Sequence, residues 1–391
     1  MKKTPLITYL AAFLIVFNGC AKHEEKYEKQ LLFHNLGTTE QDFRIPSIVK
    51  ANDGRLLAFA DRRYSLDGSD IGWGEIDIQC RISDDNGITW NGNDSTPATV
   101  IDGIGGEGFE CAHGDAATVC DRETGRILLM CASGSVGYPS GGCNVGRYYS
   151  DDGITFTGGE MTEGLPDGLE QFKFFSSGRI CQSSIIKNGS HYRLYSGLAT
   201  REGSLVLYSD DFGGSWHRLG NAIGGGDECK VEELPDGSLL LSCRISRMIG
   251  RMFSVFTYSD DTYTDGKWSE PIVSSGIMAA SCNGEVLLAP TDSPDKYILL
   301  QSAPCSNRRE NVSIYWKRIS RNSPFTSPDF YHEWDGCYGV SNTSSAYSTM
   351  VLDANGNIAF IWEENNLERD GTEGYDIYFK TLTLKEITGN E

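Results

Sequence analysis

Helical periodicity is almost absent from this sequence. Past the first few dozen residues, hydrophobic side chains do not recur at the i, i+3, i+4 spacing of an amphipathic helix, which argues against helical bundles and alternating strand–helix folds. Basic charge is also in short supply: 34 Lys and Arg stand against 54 Asp and Glu, for a net charge of −20. With a pI near 4.7, nucleic acid is excluded as a partner, and an anionic ligand can be held only in a local basic pocket. No CxxC pair and no Cys/His ligand spacing occurs, so a structural zinc site is not expected. Neither a domain-scale linker nor a low-complexity tract breaks the chain. What remains, with 45 Gly, 11% aromatic and 23% charged residues, is a folded chain of 391 residues.

Residues 1–20 read as a targeting segment. Lys2 and Lys3 form a basic end, and Leu6 to Phe17 is an apolar run too short to span a membrane as a mature helix. The segment ends Phe17-Asn18-Gly19-Cys20, which resembles a bacterial lipoprotein signal with Cys20 as the lipidated residue. An ordinary secretory signal with an incidental cysteine is the alternative. The expected organisation is a signal peptide at 1–19, a polar tether at 20–35 and a folded body at 36–388. The product is an exported bacterial monomer, periplasmic or on the outer surface, touching membrane only through its lipid. Eleven further cysteines follow Cys20. Cys80, Cys120, Cys131, Cys181, Cys243 and Cys282 sit in or beside apolar runs, where cysteine acts as a small hydrophobe. The sequence assigns no disulfide.

Short apolar runs cut by turn residues fill the body. Arg55 to Ala60, Arg126 to Ala132, Ser238 to Arg244 and Asn357 to Glu363 each follow a turn: Asp53-Gly54, Thr124-Gly125, Asp236-Gly237 and Asn355-Gly356. This is the pattern of hairpins. A repeat runs through it. Ser83 to Trp90 (SDDNGITW) returns at Tyr208 to Trp216, in shorter form at Tyr149 to Phe156, and loosely at Tyr258 to Trp268. Its first serines, Ser83, Ser150, Ser209 and Ser259, are 67, 59 and 50 residues apart, the length of a four-stranded blade. Asp85 and Asp211 can accept bonds from their own turns, Gly87 and Gly213 supply a permissive φ, and Trp90 and Trp216 can pack beneath. These repeats look like Asp-box hairpins and are structural. About 350 residues at roughly 50–60 per blade predict an all-β, six-bladed β-propeller.

One stretch speaks to chemistry. In Phe43-Arg44-Ile45-Pro46, proline stiffens the backbone beside an arginine at a strand mouth and is expected to hold Ile45 extended. Such an arginine suits a bidentate grip on a carboxylate; pairing to an internal acid is the plain alternative. With the Asp boxes, this stretch resembles the exo-α-sialidases (neuraminidases) of the bacterial and animal type, over about residues 40–382.

The resemblance implies a set of site residues. Arg63, 19 positions after Arg44, is a further pocket arginine, with Arg62 its rival. Asp70, or else Asp67, is the acid/base on the following loop. Asp115, in the stretch His113 to Ile127, lines the sugar pocket, although Ala116 stands where the family has proline; a turn-capping aspartate is the plain alternative. Asp227 to Arg244 carries a glutamate and an arginine sixteen residues apart across one hairpin: Glu228, which activates the nucleophile, and Arg244, the second clamp arginine. Glu232 and Glu233 fit as solvated turn residues. Cys305 to Trp316 supplies the third arginine, Arg309 rather than Arg308. In Ala346 to Glu364, Tyr347 is the nucleophile and Glu363 the acid that orients Arg44.

The implied activity is retaining hydrolysis of terminal α-linked sialic acids from glycoproteins, glycolipids and oligosaccharides, without metal or cofactor. The chemistry accounts for the residue types. Sialic acid bears a carboxylate on its anomeric carbon, so three guanidinium groups can clamp it. A charged nucleophile would be repelled there, whereas a neutral phenol helped by a neighbouring base would not. A trans-sialidase, a hydrolase of a related ulosonic acid, and a non-catalytic sialoglycan-binding propeller share parts of this pattern.

Overall fold

The computed structural model describes residues 27–35, 42–64, 70–90, 97–137, 140–169, 173–365 and 374–389. The signal segment with Cys20 lies outside them, as does Asp67. Among the described residues six sheets follow one another along the chain, antiparallel except where Gly178–Arg179 pairs in parallel with the second. The first is built from Asp42–Lys50, Leu56–Arg63, Ile76–Ser83 and Ala98–Ile101. The second begins with His113–Cys120, the third centres on His191–Thr200, the fourth begins with Gly226–Glu233 and the fifth with Val286–Pro290. The sixth comprises Ser345–Leu352, Ile358–Asn365 and Tyr375–Leu382. The arrangement is a six-bladed propeller.

The sixth blade takes its outer strand from the other end of the chain. Gln30–Phe33 pairs antiparallel with Tyr375–Leu382, Gln30 opposite Phe379. These residues were expected to belong to a tether at 20–35. Their charged neighbours set that reading, but Leu32 and Phe33 are buried, and the Phe33 ring lies 5.3 Å from Phe43 in the first blade. The short strand therefore ties the last blade to the first and closes the ring.

The repeats do what their residues suggest. Asp85 accepts from Thr89 N at 2.8 Å, Asp211 from Ser215 N at 2.8 Å, and Asp152 from Thr155 N at 2.7 Å. Trp90 and Trp216 are buried beneath their turns. Trp216 joins a core with Leu128, Met130, Phe175 and Leu205, and so belongs to the seam between two blades. The eleven cysteines of the described residues are thiols, nine of them buried, including the six singled out above.

Charged side chains line the ring axis. On Gly226–Glu233, alternation turns Lys230 and Glu232 to one face. Lys230 is 1% exposed, with its Nζ 3.5 Å from Glu285 Oε2. Glu285 also accepts from Thr349 Oγ1 at 2.8 Å and from Arg179 N at 3.2 Å. Gly178 passes so close that a Cβ there would stand 2.6 Å from Lys230 Nζ. Glu232 pairs with Arg179, and Glu233 takes the Ser184 N–H at 2.6 Å. Both glutamates are buried, which corrects the expectation of solvated turn residues: the hairpin turn comes later, and blade-to-blade packing covers them.

Phe33→Ala tests the closing strand. A tether residue would cost nothing. Truncating a buried ring in the closing blade is expected to cost about 3–5 kcal/mol in urea unfolding.

Candidate active site

Four of the expected site residues share a backbone device. In the first, second, fourth and sixth blades, the inner strand slips register near its start: between Arg44 and Ser47, Gly114 and Ala117, Gly226 and Cys229, and Ser345 and Ser348. Asp115, Glu228 and Tyr347 lie within these irregularities, and Arg44 sits at the edge of its own, next to the unpaired Ile45. A bulge re-aims a side chain that a regular strand would send to one sheet face. Here all four are sent into one cavity at the ring's mouth. Two bulges place non-glycine residues in the left-handed region: Ile45 has φ 55° and Asp115 φ 57°. Ile45 is therefore not extended, as Pro46 led us to expect. Such a β-branched residue is strained by about 1–3 kcal/mol, and one bond from its N–H to Glu363 Oε1 at 2.8 Å holds it there.

The cavity has a volume of about 310 Å³ and is lined by Arg44, Arg63, Asp70, Asp115, Glu228, Arg244, Arg309 and Tyr347, with Ile45, Ile71, Trp73, Cys143, Phe174 and Asp227. At its floor, the Tyr347 hydroxyl donates to Glu228 Oε2 at 2.7 Å and accepts from Arg244 at 3.0 Å. Arg244 also bonds Glu228 and Ser281 Oγ, the latter at 3.1 Å. Arg44 and Arg309 flank the ring, their guanidinium carbons 5.8 and 5.5 Å from its centroid. Arg44 is gripped from behind by Glu363, through Nε at 2.8 Å. The three arginines thus converge above one phenol.

Burial and the Glu228 charge push the Tyr347 phenol well above its ordinary value, against the pull of Arg244 and Arg309. The resting nucleophile candidate is a neutral phenol with a base in contact. Burial alone would raise the Glu363 carboxyl, but Arg44 and the N–H groups of Ile45 and Tyr347 outweigh it and hold the pKa down. On the opposite wall, Arg63 donates to Asp61 at 3.1 Å and stands 3.5 Å from Asp70. The rival Arg62 points elsewhere, its guanidinium 4.4 Å from the Tyr64 ring centre; the rival Arg308 is exposed. Asp115 faces the cavity, and its backbone N–H donates to Asp61 at 2.9 Å. Burial, then the charges of Asp61 and Asp70, drive the Asp115 carboxyl up.

Sequence reasoning missed Asp61, Asp227 and Ser281. Asp61 left a signal: two positions from Arg63 on one strand, it must share its face. Burial pushes the Asp61 carboxyl up to about 7 despite Arg63. Ser281 left none, because it reaches Arg244 from a loop far along the chain.

An arginine-lined cavity over a tyrosine–glutamate pair, at one mouth of a six-bladed ring, defines a sialidase-type propeller. No protein-family model matches the chain. It is 26% identical over 364 residues to a sialidase of Clostridium perfringens, covering 81% of this chain and 87% of that protein. A sialidase of Paraclostridium sordellii is 25% identical over a 413-residue alignment, covering 92% and 96%. The solved intramolecular trans-sialidase from Ruminococcus gnavus superposes with a TM-score of 0.72 at 18% identity, covering 92% of this chain and 98% of that one. The chain is thus similar to bacterial sialidases over most of its length.

Glu363 offers a test by pH. Its folded pKa lies below the ordinary 4.5, so its stabilisation is complete above that value and is lost as pH falls through the folded one. Glu363→Gln is expected to cost about 3–5 kcal/mol at neutral pH. The gap from wild type should narrow below about pH 4, read by urea unfolding at both values; a constant gap contradicts the assignment.

Proposed function

We propose that the chain is a retaining exo-α-sialidase that releases terminal α-linked sialic acid from glycans. The observation that carries this reading is the Tyr347 hydroxyl, 2.7 Å from Glu228 and 3.0 Å from Arg244, beneath converging arginines. Arg44, Arg244 and Arg309 clamp the carboxylate on the anomeric carbon. The neutral phenol approaches that carbon without like-charge repulsion. Glu228 takes its proton as the new C–O bond forms, which a phenol of raised pKa requires. Asp70, on the solvent side of the cavity, gives a proton to the departing oxygen. It then takes one from the water that attacks the tyrosyl intermediate, while Tyr347 recovers its own from Glu228. Two displacements retain the anomeric configuration. Arg63 and Asp115 contact the sugar ring's other substituents.

A binding-only propeller needs the clamp but not a phenol in contact with a base, so the Tyr347–Glu228 contact favours catalysis. Tyr347→Phe is expected to lower turnover of an aryl sialoside by on the order of 10³ or more, with circular dichroism unchanged. Ordinary turnover in that variant removes the nucleophile. Arg309→Ala probes the clamp. Calorimetry should show binding of free sialic acid weakened by about tenfold to a hundredfold, the worth of a charge-assisted bond. Binding of the methyl ester should change far less. Equal losses would mean that Arg309 does not read the carboxylate.

A further inference from the structure

The acid that protonates a leaving oxygen also marks where the rest of the substrate must lie. Asp70 stands at the cavity mouth with its side chain 63% exposed. The chain turns at once: Trp73 N donates to Asp70 O at 2.9 Å. Trp73 lines the cavity on this outer side, yet is 73% exposed, more than any other large apolar side chain among the described residues. Of the seven tryptophans, Trp73 alone is exposed; the others are buried or partly buried.

The turn is seated firmly. Gly72 has φ +93°, and a Cβ there would stand 2.2 Å from Gly137 N. Only glycine lets the turn lie so close on the backbone of Val136 and Gly137, and this contact fixes where Trp73 emerges. An indole has only two side-chain torsions and a large apolar face, so holding it over a ligand costs little conformational entropy.

We propose that Trp73 is the platform for the first sugar of the leaving group, resting on the sialidase reading above. A pyranose offers a face of C–H groups that matches the indole in size and polarity. The neighbouring charges select its class. Asp70 is on the same turn, and Asp227 lines the same cavity. A second sialic acid would bring its carboxylate toward these acids, so the occupant is a neutral pyranose.

The test compares two substrates. One is sialyllactose, whose leaving group is a neutral disaccharide; the other is sialosyl fluoride, whose leaving group is one atom and cannot reach the platform. Trp73→Ala is expected to lower kcat/KM for sialyllactose about tenfold, mainly through KM, and to leave the fluoride unchanged. Trp73→Phe should retain most of the sialyllactose activity. Equal losses on both substrates would show that Trp73 only supports the Asp70 turn, and no loss on either that the indole touches nothing; each overturns the platform. An α2,8-linked disialoside cleaved by the wild type as readily as sialyllactose overturns the neutral-sugar assignment. Inactivity of the wild type on both substrates sinks the sialidase reading, and the platform with it.

Discussion

One buried carboxylate joins the first and sixth blades, which carry Arg44 and Tyr347. Glu363 accepts four bonds: Arg44 Nε at 2.8 Å, an Arg44 terminal nitrogen at 3.4 Å, Ile45 N at 2.8 Å and Tyr347 N at 3.0 Å. A buried charge left unpaired costs several kcal/mol, so the geometry that satisfies it is strongly preferred. That geometry sets the aim of Arg44, the bulge at Ile45 and the start of the strand bearing Tyr347. It also spans the seam that the strand Gln30–Phe33 closes. Ring closure and site assembly therefore meet at one joint.

The bulges explain how a propeller places unlike side chains together. Regular inner strands would send alternate residues to opposite sheet faces and only a few toward the axis. Slipping the register at the mouth lets Arg44, Asp115, Glu228 and Tyr347 turn inward from four blades. The strain at Ile45 and Asp115 is local, and buried acids on neighbouring elements restrain it: Glu363 for the first and Asp61 for the second.

Electrostatics reconcile an acidic protein with an anionic ligand. Arg44, Arg63 and Arg244 each have an acid within bonding distance: Glu363, Asp61 and Glu228. These partners limit mutual repulsion among the cations and leave their outer edges for the cavity. Below the floor, Lys230, Glu285, Arg179 and Glu232 form a further chain of buried ion pairs.

The blades were legible in the sequence because their signals are local. A turn of Asp, Gly and a following Trp needs only its own eight or nine residues to form, and strand alternation is a property of neighbours. The site residues were legible as motifs, since Arg44, Glu228 and Tyr347 sit at strand mouths in a recognisable order. Tertiary structure decided what depends on residues distant in sequence. It drew Gln30–Phe33 out of a charged stretch, because Phe33 finds its partners only in the first and last blades. It left-turned Ile45 against the local preference set by Pro46, because Glu363 rewards that turn with a bond. It buried Glu232 and Glu233, because another blade covers them. Composition and spacing carry short-range preferences; a buried charge and its partner, hundreds of positions apart, meet only when the ring closes.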